Sequence, residues 1–310
     1  MNYNIILCGV CDVDGSTNIS MAKAFIKLGF SVIPINYRTI LNKYGMEILE
    51  DLLIDTIKKY NPIVTIFCKC NNVDPEIIKK CTELTTTWLW NPDPYQTLIN
   101  CPEVIEHAKN CTFSSCTGGG VAQWLTDQIN KTCYHIFDGV DLDIFKPVNI
   151  ENKYIADISF IGGKTTERDY FKDVLENEDL IVKFYGNGYE NEVINKEFAK
   201  VCSSSKLMLS LNTFNDIPDY FSNRLFRYMG CGSCVLHLDR TETLNKFFNN
   251  MQDLVFFKNE EELIDNINYL MNNQKEIGRI GINGRDLVLN RFTWFHSMIS
   301  ILEIIKREVV

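Results

Sequence analysis

Short apolar runs rich in β-branched residues alternate along the chain with segments whose apolar positions recur every three or four residues. That alternation predicts strands joined by amphipathic helices and feeding parallel sheets. In the first half strands are predicted at 3–8, 31–36, 63–68, 85–90, 111–115 and 133–137, with helices at 19–28, 46–60, 75–83, 103–109 and 120–130. Each strand reads as a continuous apolar run, as expected where helices cover both faces of a sheet. A polar stretch carrying Pro147 then separates this set from a second one. The second set has predicted strands at 157–162, 181–185, 207–211, 234–238 and 254–257, and helices at 165–176, 192–203, 222–229, 241–249, 260–271, 274–291 and 293–308. The final helix places Trp294, Met298, Ile301 and Ile305 on one stripe, a core-facing pattern.

The expected architecture is therefore α/β, with two Rossmann-like domains facing a cleft, residues 1–147 and 148–310, and a C-terminal helix. Ligands of such open sheets bind outside the carboxyl ends of the strands. A length of 310 residues agrees with two domains. No apolar run approaches the length of a membrane span, and the amino terminus lacks a basic targeting segment, so a cytoplasmic location is expected. The formal charge of -9 argues against a protein that gains its affinity from nucleic-acid phosphates. Twelve cysteines in a chain this long read as reduced thiols rather than a disulfide scaffold. The pairs Cys8/Cys11 and Cys231/Cys234 have metal or dithiol spacing, but they fall in different predicted domains, and buried thiols explain them more simply. His107, His135, His237 and His296 are scattered and form no hydrolytic arrangement.

Three glycine-bearing or polar turns follow predicted strands. Gly162-Gly163-Lys164 leads into a helix carrying Arg168, so backbone N–H groups, the helix dipole and two cations can face one anion. A Walker-type loop would need glycine where Ile158 stands, which excludes that ATPase class. Gly186-Asn187-Gly188 permits close backbone approach to a ligand. The first-domain turn holds Asp12 and Asp14, which suit a substrate loop; that pair and Asp141/Asp143 have a spacing that could bind a divalent cation, but no further ligand cluster supports them and no metal site is expected. Asp93, between two prolines at a strand end, is the first candidate for a general base, with Asp14 and Asp12 behind it; the alternative for each is a turn or cap aspartate.

The stretch from Asn212 to Gly232 runs through a polar loop into a short helix that ends at glycine. Here Asn223-Arg224-Leu225-Phe226, Gly230-Cys231-Gly232, Phe247-Phe248, Glu261-Glu262-Leu263 and Arg291-Phe292-Thr293-Trp294 resemble the GT-B glycosyltransferases, and among them the group similar to the spore-maturation protein CgeB, with its family-1-type C-terminal domain. Trp88 to Pro94, and Gly139-Val140-Asp141 with Phe145-Lys146-Pro147, extend the resemblance over most of the chain.

The resemblance implies a GT-B fold and metal-independent transfer of a hexosyl or pentosyl group from a nucleotide sugar. A UDP-sugar is the expected co-substrate and no other cofactor is implied. The second domain would hold the donor and the first the acceptor, whose identity stays open among protein, glycan, lipid, small molecule and modified nucleobase. Many retaining relatives carry two acids, one facing the donor sugar and one holding the ribose; these fall at Asp219 and Arg227. Asp219 keeps the acid, whereas an arginine at 227 cannot accept hydrogen bonds from ribose hydroxyls. The donor set implied is Gly162, Gly163, Lys164, Arg168, Gly186, Asn187, Asp219, Tyr220, Ser222, Asn223, Arg224 and Arg227. Arg227 also keeps open a catalytically silent nucleotide-sugar-binding protein, and the same architecture admits a nucleotide-sugar epimerase.

Overall fold

A computed structural model describes residues 3–309. The chain forms two compact units. Unit 1 runs to Phe137 and regains the chain at Trp294, and unit 2 spans Asp138–Thr293. The expected divide at 147 and the assignment of the last helix to the second domain are therefore corrected. The physical reason for the second correction lies in the predicted apolar stripe itself: Trp294, Met298, Ile301 and Ile305 are buried in the core of unit 1 beside Met21, Phe25, Trp88 and Trp90.

Unit 1 contains β1 (Asn4–Gly9), α1 (Thr17–Lys27), β2 (Ser31–Asn36), α2 (Tyr37–Tyr44), α3 (Met46–Tyr60), β3 (Val64–Cys68), α4 (Pro75–Thr82), β4 (Thr87–Asn91), α5 (Tyr95–Ile99), α6 (Pro102–Asn110), β5 (Phe113–Cys116), α7 (Gly119–Ile129) and β6 (Cys133–His135). Its six strands are all parallel, in the order β2-β1-β3-β4-β5-β6. The inner strands β3 and β4 are buried at every position, while β2 lies at the edge and tolerates Pro34 there.

Unit 2 contains β7 (Ala156–Ile161), α8 (Thr166–Glu176), β8 (Val182–Tyr185), α9 (Asn195–Ser204), β9 (Ser205–Ser210), α10 (Asn223–Gly230), β10 (Cys234–Leu238), β11 (Val255–Phe257), α11 (Glu260–Asn272) and α12 (Gln274–Arg291); α13 (Trp294–Val309) closes the chain on unit 1. Its parallel sheet has the order β11-β10-β9-β7-β8. The core gathers Ile158, Phe160, Phe171, Leu207, Leu209, Leu236 and Phe257.

Each sheet reverses its strand order once, between β1 and β3 in unit 1 and between β7 and β9 in unit 2. At such a reversal the connections leave to opposite sides, and a crevice opens at the carboxyl ends of the two strands.

Three local departures from the expected elements have identifiable causes. The α2 helix follows β2 with no turn residue to announce it, and α5 is a single short turn after Pro94. The helix expected at 241–249 is reduced to a 3-10 turn over Leu244–Lys246. There the Asp239 carboxylate accepts from the backbone N–H groups of Thr243 (3.2 Å) and Leu244 (3.4 Å), which ties the segment down as a turn.

Candidate functional site

The β7/β9 crevice of unit 2 brings together two of the four cationic residues singled out above, Arg168 and Arg224. β7 ends at Ile161 and the chain passes into Gly162-Gly163-Lys164. The Thr165 hydroxyl then caps α8 by accepting from the Arg168 amide (3.3 Å). Capping sets the first turn so that the Arg168 side chain runs back toward the strand ends. Its Nη1 donates to Gly163 O (2.7 Å), and its Nη2 donates to Leu211 O (3.2 Å) and the Thr213 hydroxyl (3.2 Å). Arg168 is only 3% exposed.

A second guanidinium reaches the same place from α10. Arg224 Nη1 donates to the same Leu211 carbonyl (2.7 Å). Both guanidinium groups lie on the Phe160 ring, at 5.2 Å for Arg168 and 4.9 Å for Arg224. Two glycines make room for them. A Cβ at Gly162 would stand 2.8 Å from Arg224 Nη2, and one at Gly186, where φ is +119°, would stand 2.6 Å from Gly162 O. The turn after β8 is thereby laid against the turn after β7, and Lys164 N donates to Asn187 O (2.8 Å).

The orientation of α10 comes from both of its ends. Asn212, next after Leu211, donates from Nδ2 to Tyr220 O (2.9 Å) and accepts from Ser222 N (2.9 Å), closing the intervening loop. Asn215 braces that loop by accepting from Asn212 N (2.8 Å) and donating to Glu167 (2.6 Å). Deeper in the helix, Tyr228 OH accepts from Ile161 N (2.7 Å) and lies 3.3 Å from Ile161 O, which fixes α10 to the strand end. The helix thus begins at Ser222, whose hydroxyl makes no cap and has no hydrogen-bond partner; Asn223 Oδ1 has none either.

The electrostatics are one-sided. Neither Arg168 nor Arg224 forms a salt bridge among the described residues, where their partners are backbone carbonyls, a hydroxyl and one aromatic ring. Burial, and then the charge of Arg224, pushes Arg168 down to about 10; burial likewise lowers Arg224. Both remain charged at neutral pH, so two desolvated cations share one crevice without a counter-ion, an arrangement that favours an incoming anion. Beneath them His237 is fully buried, and its Nδ1 is 2.8 Å from the Ser210 hydroxyl. Burial and then Arg224 hold His237 down at about 3, so it is a neutral imidazole.

The remaining expected donor residues are placed differently. Lys164 is half exposed and already paired with Asp169 (3.2 Å), which also accepts from Tyr189 OH (2.9 Å). Asp219 adopts a left-handed φ of 54° and is held by Lys246 Nζ at 3.0 and 2.9 Å. Arg227 does not join Arg168 and Arg224. Its guanidinium stacks on Phe145 at 4.7 Å, under the influence of Asp138, and its Nε makes no hydrogen bond. Phe160, Leu211, Asn212, Asn215 and Tyr228 were not expected. The two asparagines sit at a strand end in a polar loop, a position that suits a bracing role, but nothing local marks Leu211 O as the meeting point.

In unit 1, Asp93 pairs with Lys69 Nζ at 2.7 Å, both side chains being partly exposed. Asp12 Oδ2 accepts from Thr39 (2.6 Å), and Asp14 is exposed. No group of three or more metal-ligating side chains is found among the described residues. All twelve cysteines are free thiols, ten of them buried. No helix is long and apolar enough to cross a membrane.

Residues 166–303 match the family model described as glycosyl transferase-like. No curated protein matches the chain in sequence. Among solved structures, the Anabaena protein HepE in complex with UDP-glucose is similar over 98% of this chain and 99% of its own, with a TM-score of 0.70 at 12% identity. A glycosyltransferase from Rickettsia africae is similar over 99% of this chain and 98% of its own (TM-score 0.69, 15% identity). Sucrose-phosphate synthase from Thermosynechococcus elongatus is similar over 99% of each chain (TM-score 0.64, 14% identity). The fold is GT-B, as expected from the sequence; the likeness to the CgeB-like group in particular remains an expectation.

Proposed function

We propose that this chain is a glycosyltransferase that moves a hexosyl or pentosyl group from a nucleotide sugar, with a UDP-sugar as the donor. The observation that carries this reading is the convergence of Arg168 and Arg224 on Leu211 O, beside the uncapped start of α10. A diphosphate placed there would meet two guanidinium groups, the Ser222 hydroxyl and a helix N-terminus. The glycosyl transferase-like match over residues 166–303 and the UDP-glucose complex of HepE support it.

In the transfer, an acceptor hydroxyl oxygen bonds to the anomeric carbon while the bond from that carbon to the β-phosphate oxygen breaks. The electron pair leaves with the nucleoside diphosphate, and the hydroxyl proton passes to a base, for which Asp93 is the proposed residue. Arg168 and Arg224 stabilise the charge that grows on the departing phosphates, which is the work a divalent cation does in other transferases. The proposal accordingly needs no metal and sets the reaction in the cytoplasm.

Isothermal titration with UDP and UDP-glucose tests the donor site, and a Kd in the micromolar range is expected for UDP. Release or transfer of glucose tests the enzyme. UDP-glucose binding with no turnover under any acceptor condition would assign the silent binding protein that Arg227 keeps in view. Conversion of the sugar with no acceptor present would assign an epimerase. No affinity for any nucleoside diphosphate would overturn the site.

A further inference from the structure

We propose that Lys69 is a positioning residue for Asp93: its ammonium pins one oxygen of the carboxylate and leaves the other free to take the proton of an attacking hydroxyl. This role rests on the glycosyl-transfer reading with Asp93 as its base, and it carries kinetic consequences of its own.

Asp93 stands on a fixed piece of chain. It follows β4 between Pro92 and Pro94, whose rings restrict the backbone on either side. Asn91 is fully buried and donates from Nδ2 to Asp93 O (3.1 Å). Just past β5, Thr117 donates its amide to Asn91 O (3.3 Å) and its hydroxyl to Pro92 O (3.3 Å). The carboxylate itself is 21% exposed, so a hydroxyl can reach it. Lys69 Nζ donates to Oδ1 at 2.7 Å, and Oδ2 has no hydrogen-bond partner among the described residues.

Lys69 reaches that oxygen from a strained turn. It follows β3 and donates its amide to Trp90 O (3.0 Å), which ties it to the neighbouring strand. The backbone is left-handed at Lys69 (φ 61°), Cys70 (φ 58°) and Asn72 (φ 64°). Asparagine tolerates that conformation, whereas lysine and cysteine adopt it at a cost that glycine would avoid. Packing behind the turn holds it in place. Cys70 is fully buried with Sγ 3.7 Å from Cys8 O, Val73 N donates to Cys70 O (3.1 Å), and Nε2 of the buried His107 lies 2.8 Å from Val73 O.

The ion pair does not return that cost as stability. Lys69 is 35% exposed, and pairs open to water contribute little because solvent screens them. Strain that stability leaves unexplained points to a side chain that must be aimed. A lysine fixed by its backbone holds the carboxylate in one rotamer, so the free oxygen meets the hydroxyl in a reacting geometry. In the transfer that hydroxyl gives its proton to Asp93 Oδ2 as its oxygen bonds to the anomeric carbon. The electron pair of the breaking bond leaves with the nucleoside diphosphate, and Lys69 keeps all of its protons. Lys69 thus acts only through Asp93.

Hydrolysis of UDP-glucose, with water as the attacking hydroxyl, tests the role. Lys69→Met should lower kcat about 30-fold, with KM and the Kd of UDP changed by less than about twofold. Lys69→Gly should lower kcat as much while the melting temperature stays level or rises, because the left-handed turn is relieved. Added n-butylammonium should then restore hydrolysis about fivefold in Lys69→Gly and have no effect on the wild type. Asp93→Asn should be more damaging still, and adding Lys69→Met to it should cost nothing further. A Lys69→Gly variant that loses stability and is not rescued, or losses that add in the double variant, would make Lys69 a structural residue and overturn the proposal. Lys69→Met as active as the wild type, with Asp93→Asn inactive, overturns it too and leaves the glycosyl-transfer reading intact. Asp93→Asn as active as the wild type removes the base, and the role of Lys69 with it, while the donor site stands on its UDP affinity. A wild type that binds UDP-glucose but releases no glucose to water or to any acceptor overturns both the enzyme and this role, and one that binds no UDP either brings down the donor site as well.

Discussion

The two sheets open the same kind of crevice, β1/β3 in unit 1 and β7/β9 in unit 2, and fill it with opposite chemistry. In unit 1 the strand ends carry Cys8, Cys68 and Cys70, all buried, with Cys70 Sγ 3.8 Å from Cys8 Sγ and 3.7 Å from Cys8 O. Burial pushes the Cys68 and Cys70 thiols well up, so they stay neutral. The backbone N–H groups of the first turn are also occupied: Val10 N donates to Asn18 Oδ1 (2.8 Å) and Cys11 N to Asn36 Oδ1 (2.8 Å). Unit 1 has thus satisfied its own strand-end turn from within. Unit 2 has done the reverse, lining the crevice with two guanidiniums and beginning α10 with a hydroxyl that caps nothing. A shared topology offers a site in each unit, and the side chains at the strand ends decide which one is left for an anion.

The largest expected effect comes from removing one guanidinium. Arg224→Met keeps the bulk over Phe160 and leaves Leu211 O its bond from Arg168. UDP affinity should fall about 100-fold, equivalent to about 2.7 kcal/mol. Stability of the free protein should stay level or rise, because an uncompensated buried cation has been removed. Calorimetry and thermal melts read the two effects separately. A variant that loses stability and binding together would make Arg224 a structural residue and dissolve the contrast with unit 1.

The second test uses pH. His237 lies under the arginines and is neutral, held at about 3 by burial and then by Arg224. In the unfolded chain it would titrate near about 6.5. A folded pKa below the unfolded one gives stability that is present above pH about 6.5 and is lost as pH falls toward about 3, because only the unfolded chain takes up the proton there. The loss at pH 5 should be about 2 kcal/mol. Urea unfolding at pH 7 and pH 5 should show it, and His237→Asn should remove most of the difference. An unchanged slope in that variant would show that the crevice is more solvated than its burial implies.

How far the molecule could be read in advance follows the same division between local and distant causes. Strand and helix alternation is local, and it placed all eleven strands within two residues of their observed starts. Lys164, Arg168 and Arg224 could be named because glycine turns and helix starts carry local signals. That Arg168 and Arg224 share one carbonyl is a product of tertiary packing, and so is the turn of Arg227 toward Phe145 and Asp138, which spacing along α10 did not reveal. The return of α13 to unit 1 was hidden for the same reason: its apolar stripe announced a core but not whose core it joins. Orphan oxygens such as Asn91 Oδ1 leave no trace in sequence at all, since they are defined by partners that are missing.

A smaller effect is expected from the thiol crevice. Cys70 sits at φ 58°, and alanine would bear the same backbone strain, so Cys70→Ala isolates the loss of sulfur packing. It should cost about 1–2 kcal/mol in urea unfolding, as for a small buried truncation. UDP affinity should not change. A drop in UDP affinity would mean that the two crevices are coupled.

The smallest effect concerns Asp219, the acid expected to face the donor sugar. Its carboxylate is bound by Lys246 at 3.0 and 2.9 Å, and the lysine is half exposed, so the pair should contribute less than about 1 kcal/mol to stability. Asn tolerates the left-handed φ of 54° and keeps the side-chain shape. Asp219→Asn therefore changes charge with little change of backbone. If the carboxylate contacts the sugar, UDP-glucose should bind about two- to fivefold more weakly while UDP binds as before, since a single hydrogen bond lost there amounts to about 0.5–1 kcal/mol. Equal weakening of both ligands would show that Asp219 acts through the loop that Asn212 and Asn215 brace, and would place the sugar elsewhere in the crevice.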